Sequence, residues 1–207
     1  MNLIDISRPI YSGMPVWPGD TDARFDIVAT IAGGAVVNIG ALKISIHTGT
    51  HVDAPWHYAD AGATIDRVEP DAYVGPARVI DARGRVSLDR SLFDGIDLAP
   101  TPRVLFRTDG WTDPLAFPRD WPVMEDGLPE WLATQGVKLV GFDVPSVDKL
   151  DSKTLPVHLA CFRANLLILE STDLREAPPG TYELIALPLR ICGGDGSPVR
   201  AVLRTTG

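Results

Sequence analysis

Glycine and proline interrupt this chain so often that no long regular element can run through it. The 207 residues hold 19 Gly and 18 Pro. Glycine frees the backbone and proline removes a donor, so the chain is cut into many turns. Short strands and loops are expected, with few helices. Residues 11–20 carry two Pro and two Gly and read as an ordered loop. Residues 3–10, 25–32 and 36–47 read as β. The last of these alternates, with Leu42, Ile44 and Ile46 facing one way and Lys43, Ser45 and His47 the other. Further strands are expected over 77–82, 103–107, 138–144, 166–170, 182–189 and 199–203. Short helices are expected over 128–135 and 155–164, with Pro129 and Pro156 in their first turns and Gly136 stopping the first. The pattern points to an α/β fold with a mixed, barrel-like sheet and few flanking helices. At this length it forms a single compact domain over residues 1–207.

The balance of charge narrows the partners. Acidic residues number 27 against 19 basic, a formal charge of −8. That balance does not draw in phosphate backbones or anionic lipid, and no run of Lys and Arg offsets it. Neither nucleic acid nor membrane is an expected partner. Cys161 and Cys192 form no CxxC pair, and two reduced, partly buried thiols are expected. The first residues lack a basic region and carry Asp5 inside an apolar stretch, so no secretory signal is expected. No apolar run is long enough to span a bilayer, and the expected location is the cytoplasm.

The chain has four histidines, and three fall within the eleven residues His47-Thr-Gly-Thr-His51-Val-Asp53-Ala-Pro-Trp-His57. The spacing of His47 and His51 would suit a helix, but Gly49, Pro55 and the β-branched residues between them disfavour one. In an extended strand Lys43, Ser45, His47, Gly49, His51 and Asp53 share a face. Two imidazoles and a carboxylate then converge, as a metal site requires. Glu170 ends the apolar run 166–169, where a carboxylate is costly unless paired, hydrogen-bonded or bound to metal. Taken alone, a Glu at a strand end is more often a solvated or salt-bridged terminus. His158 is the remaining histidine, and a lone histidine is more often a hydrogen-bonded core or surface residue. Trp17 is either plain packing or an aromatic wall for a planar substrate. Asp143 and Asp148 either support the site or cap turns.

The eleven-residue motif resembles the HxGTHxDxPxH signature of the cyclase-like metal-dependent hydrolases. More narrowly, the chain is similar to the bacterial kynurenine formamidases (arylformamidases) of that superfamily. The likeness runs through Asp5-Ile-Ser-Arg-Pro, Pro15-Val-Trp17-Pro-Gly-Asp, Gly141-Phe-Asp143, Ser146-Val-Asp148 and Leu169-Glu170. It continues through Tyr182-Glu-Leu-Ile-Ala-Leu-Pro-Leu-Arg190 and Ser197-Pro-Val-Arg-Ala-Val-Leu203. The resemblance implies two divalent metal ions, usually zinc; nitrogen and oxygen donors would also accept manganese. His47 would bind one, His51 and His158 the other, and Asp53 and Glu170 would bridge them. It implies His57 as general acid/base, Trp17 in the substrate pocket, and a homodimer.

The implied reaction is hydrolysis of a small aromatic formamide, N-formyl-L-kynurenine, to L-kynurenine and formate in tryptophan breakdown. Metal makes water nucleophilic at neutral pH. The aniline-type nitrogen leaves poorly unless protonated, and His57 is placed to protonate it. An isatin hydrolase or another cyclic amide or ester hydrolase of the superfamily would share the motif. A metal-binding module without catalysis would instead need a closed site and no use for His57.

Overall fold

The computed structural model describes residues 2–205. Eleven strands are β1 Leu3–Asp5, β2 Arg24–Ala29, β3 Ile39–Lys43, β4 His51–Asp53, β5 Val74–Asp81, β6 Arg103–Arg107, β7 Leu139–Phe142, β8 Leu167–Glu170, β9 Gly180–Ile185, β10 Gly196–Pro198 and β11 Val202–Thr205. Two helices, α1 Leu128–Thr134 and α2 Pro156–Ala164, join them. Both begin with proline in the first turn. Proline is tolerated there because its missing N–H would lack an intrahelical partner anyway. No helix among the described residues is long and apolar enough to cross a membrane.

Nine strands form one mixed sheet in the order β1-β11-β9-β5-β6-β7-β8-β4-β10. The strands β5 to β8 run parallel, and their neighbours on both sides are antiparallel. The sheet curls, because the chain leaving β1 at one edge reaches the chain leaving β8 near the other. Ser7 bridges Thr172, and the Asp173 N–H donates to the Ile6 carbonyl at 2.8 Å. Arg8 is buried in that closure, and its guanidinium donates to the carbonyls of Trp111, Asp143 and Thr172.

Alternation along β6 feeds two apolar layers. Val104 and Phe106 pack with Leu128, Leu132, Val157 and Cys161 beneath the helices. Leu105 points into the curl with Val52, Tyr73, Val79, Leu184 and Leu203. Burying such side chains stabilises the fold by about 1.5–3 kcal/mol each. The strands that hold the site, β4 and β8, lie between these layers and are buried along nearly their whole length.

The expected strand over residues 36–47 is shorter than its alternation suggests. It pairs with β2 only as far as Lys43, opposite Arg24, where β2 begins. Residues 44–50 have no strand partner and turn, with Gly49 in the left-handed region at φ 66°. His47 therefore lies in a turn and does not share a strand face with His51. The strand expected over 3–10 reduces to Leu3–Asp5, the one expected over 199–203 is shifted to Val202–Thr205, and β10 is an additional edge strand.

Candidate metal centre

Two short strands set the floor of the site. His51 and Asp53 are two apart on β4, so both project from one face. Glu170 closes β8 directly opposite His51. His51, Asp53 and Glu170 are each 3% exposed or less. His158 enters from the first turn of α2, and His47 from the turn before β4.

The two carboxylates hold the imidazoles between them. His51 Nε2 lies 3.5 Å from Asp53 Oδ1 and 3.4 Å from Glu170 Oε2. His158 Nε2 lies 3.5 Å from Asp53 Oδ2 and 3.7 Å from Glu170 Oε1. His47 Nδ1 meets Asp53 alone, at 3.0 Å from Oδ1. His51 Nε2 and both Asp53 carboxylate oxygens are buried without a hydrogen-bond partner. Unsatisfied polar atoms are costly in a protein interior. Several of them pointing at one another, from imidazole and carboxylate donors, match what a divalent cation requires. His47, His51 and Asp53 form one such donor group, Asp53, His57 and His158 another, and His47, His57 and Asp195 a third.

Each imidazole is fixed through its other nitrogen. His51 Nδ1–H donates to the Gly49 carbonyl at 2.9 Å. His158 Nδ1–H donates to Asp148 Oδ2 at 2.6 Å. His47 Nε2–H donates to Asp195 Oδ2 at 3.0 Å. Such outer partners select the tautomer that turns a free nitrogen inward, the arrangement usual around metal-binding histidines. Without metal, burial disfavours the charged imidazoles, but the carboxylates outweigh it. Asp195 and Asp53 lift His47 to about 9. Asp53 and Glu170 lift His51 to about 10, and Asp148 and Asp53 lift His158 to about 10.

His57 differs. It ends the short turn Pro55–His57 after β4, and its side chain is 33% exposed. Burial lowers its pKa below the ordinary value; Asp53 opposes this, and neighbouring His47 and His158 add to it. Its imidazole faces a pocket of about 340 Å³ above the donors. Trp17 lines the same pocket, edge-on to Phe117 at 5.8 Å and to Trp121 at 6.3 Å. The seven residues to which the resemblance gives a site role thus gather in one place: six line the pocket, and Asp53 lies beneath it.

Asp148 does both things that the sequence left open. Its carboxylate accepts the N–H groups of Val157 and His158, capping α2, and it orients the His158 ring. Asp143 does not reach the cluster. It accepts the backbone N–H groups of Thr108 and Asp109, and burial pushes it up to about 6. Asp195 escaped the sequence reading. Its signal was a lone carboxylate inside Cys192-Gly-Gly-Asp195-Gly196, a loop too short and small to pack on its own side chains. Hydrogen bonding to His47 holds its carboxyl near 2, well below the usual range.

A family model described as a cyclase matches residues 4–149. The chain is 42% identical to the kynurenine formamidase of Geobacillus thermodenitrificans, over 99% of this chain and 98% of that one. It is 45% identical to the kynurenine formamidase of Salinibacter ruber, over 99% and 98%. A solved structure described as a predicted metal-dependent hydrolase from Bacillus stearothermophilus superposes with a TM-score of 0.81 at 27% identity, covering 98% of this chain and 97% of that one. Isatin hydrolase A from Labrenzia aggregata superposes with a TM-score of 0.83 at 23% identity, covering 99% and 94%, a likeness of fold.

Proposed function

The chain belongs to the cyclase family, and from that membership we propose that it hydrolyses N-formyl-L-kynurenine to L-kynurenine and formate. The observation that carries this reading is the convergence of His47, His51, His158, Asp53 and Glu170, with orphaned inward atoms, under an aromatic-walled pocket. These five residues would hold two divalent ions. Their nitrogen and oxygen donors, without thiolate, suit zinc, with manganese the alternative. When bound, divalent metal supplies Lewis-acid chemistry, polarising the carbonyl and making water nucleophilic at neutral pH.

The chain's own residues supply the rest. Trp17, Phe117 and Trp111 wall the pocket and suit a planar aromatic substrate. They would hold the ring while the formyl group points to the donors. His57 stands at the pocket wall, and its exposed ring would protonate the aniline nitrogen as the C–N bond breaks. Burial lowers its pKa and so favours the neutral ring, the form that can accept a proton before returning one.

We also infer a homodimer. The β2–β3 hairpin exposes apolar side chains on both faces, among them Phe25, Ile27, Val28 and Leu42, with Val36 at its tip 93% exposed. A patch of this kind calls for a protein partner.

The test follows kynurenine absorbance after mixing purified protein with N-formyl-L-kynurenine, with and without chelator. Turnover that the chelator abolishes is the expected result. Metal-loaded protein that leaves the formamide intact but opens isatin would move the substrate to cyclic amides.

A further inference from the structure

Asp195 is none of the inward donors, yet it reaches both a donor and the exposed imidazole. Its Oδ2 lies 3.0 Å from His47 Nε2 and 3.6 Å from His57 Nδ1. The two rings lie 4.0 Å apart, centroid to centroid, with a 36° tilt. One carboxylate oxygen therefore faces a nitrogen of each ring. We propose that Asp195 is a positioning residue for both imidazoles, holding His47 with Nδ1 toward Asp53 and His57 by Nδ1 so that Nε2 serves the substrate. The second half rests on the reading of His57 as the proton carrier.

The loop that presents Asp195 is held on both sides. The Ala54 N–H donates to the Asp195 carbonyl at 2.9 Å, and the Ile65 N–H to the Gly194 carbonyl at 2.9 Å. The Gly193 N–H donates to the Asp66 carboxylate at 3.0 Å. Gly196 then pairs with Asp53 on β4. A Cβ at Gly196 would lie 2.6 Å from the Val52 carbonyl oxygen and 3.3 Å from His47 Cε1. Only glycine allows this approach, and the approach brings Asp195 to the two rings.

A carboxylate suits the task. The nitrogen that a neutral imidazole turns toward a metal is decided by the hydrogen bond at its other nitrogen. Remove Asp195, and His47 is free to rotate or to place its proton on Nδ1. His57 would lose the carboxylate that faces its Nδ1, while facing the His47 ring at stacking distance.

The test compares Asp195→Ala and Asp195→Asn with the parent, alone and combined with His57→Ala. Metal affinity is read without substrate, by titrating zinc alone against a competing chelator. Asp195→Ala should weaken affinity by about 10–100-fold, the usual effect of removing an outer partner of a metal-binding histidine. Its kcat should fall while KM moves little, since no ground-state contact to substrate is lost. In the His57→Ala background the same change should lower kcat no further, while the affinity loss persists. Asp195→Asn, which keeps an acceptor oxygen in place, should recover part of both losses.

Unchanged affinity and kcat in Asp195→Ala would overturn the proposal. Losses in kcat that multiply in the double variant would remove the His57 half. If Asp195→Ala does not fold, Asp195→Asn is judged on the same readouts, and parental values in it would also overturn the proposal. A parent that fails on the formamide would sink the functional reading, not this one, because the zinc titration needs no substrate and the kcat comparison moves to isatin.

Discussion

The exposed ring of His57 sets it apart from the other three histidines, each tied at one nitrogen and turned inward at the other. Replacing it with Ala should leave metal content at the parent value and lower kcat by about 10²–10⁴-fold, the range for loss of a general acid/base. Metal analysis beside steady-state kinetics checks this, and unchanged turnover would remove His57 from the chemistry. The cluster was legible from residue scarcity: three of four histidines in eleven positions is a signal that survives without a fold. Asp195 gave only a weak signal, because it is one of 27 acidic residues and its partners are 148 and 138 positions away.

At the level of elements, α2 begins at Pro156 after Leu155, whose backbone is left-handed at φ 46° and offers no side-chain cap. Asp148 supplies the missing acceptor from outside the helix. One carboxylate thus caps α2 and fixes His158, so a single change should disturb both. Asp148→Ala should destabilise the protein by about 1–2 kcal/mol, the value of a strong cap. It should also lower metal affinity by about 10–100-fold through the His158 ring. Denaturant titration of the chelated protein isolates the first effect, and chelator competition the second. Normal metal affinity in a destabilised variant would leave Asp148 a cap only. The sequence placed α2 well, because proline and a following apolar run mark a helix start. The same local logic overran the strand expected over 36–47, since pairing ends where β2 begins, and nothing in 44–47 announces the loss of a neighbour.

For the whole molecule, the metal and the fold are linked. In the metal-free protein His47, His51 and His158 titrate at about 9, 10 and 10, above the ordinary 6.5. A raised histidine pKa means that the folded state holds the proton more tightly than the unfolded chain. The stabilisation is complete below pH 6.5 and is lost as pH rises through 9 to 10. Metal binding replaces those protons, so loaded protein should not lose it. Thermal unfolding of chelator-treated protein should therefore give a Tm that falls between pH 7 and 10. The gap to metal-loaded protein should widen over the same interval. A constant gap would mean that protons and metal do not compete at these imidazoles. The exposed hairpin makes a second prediction at this scale. Val36→Asp and Ile27→Asp together should convert a dimer to monomer in sedimentation velocity, and an unchanged species would place any interface elsewhere.

What the sequence determined alone was local chemistry and local geometry. Proline and glycine spacing decided that elements would be short. Scarce histidines around Asp53 declared a site, and the apolar run ending in Glu170 made that carboxylate a candidate without deciding its burial. These signals are legible because their physics acts within a few residues. The tertiary structure decided what depends on distant pairing. It set Glu170 opposite His51 through the β4–β8 register, and brought His158 in on the turn that Asp148 caps. It curled the sheet by joining the chain after β1 to the chain after β8, and carried Asp195, in the loop before edge strand β10, to His47 and His57. Those contacts join positions far apart in the chain, and only the packing of the whole sheet selects among the many pairings that local pattern allows.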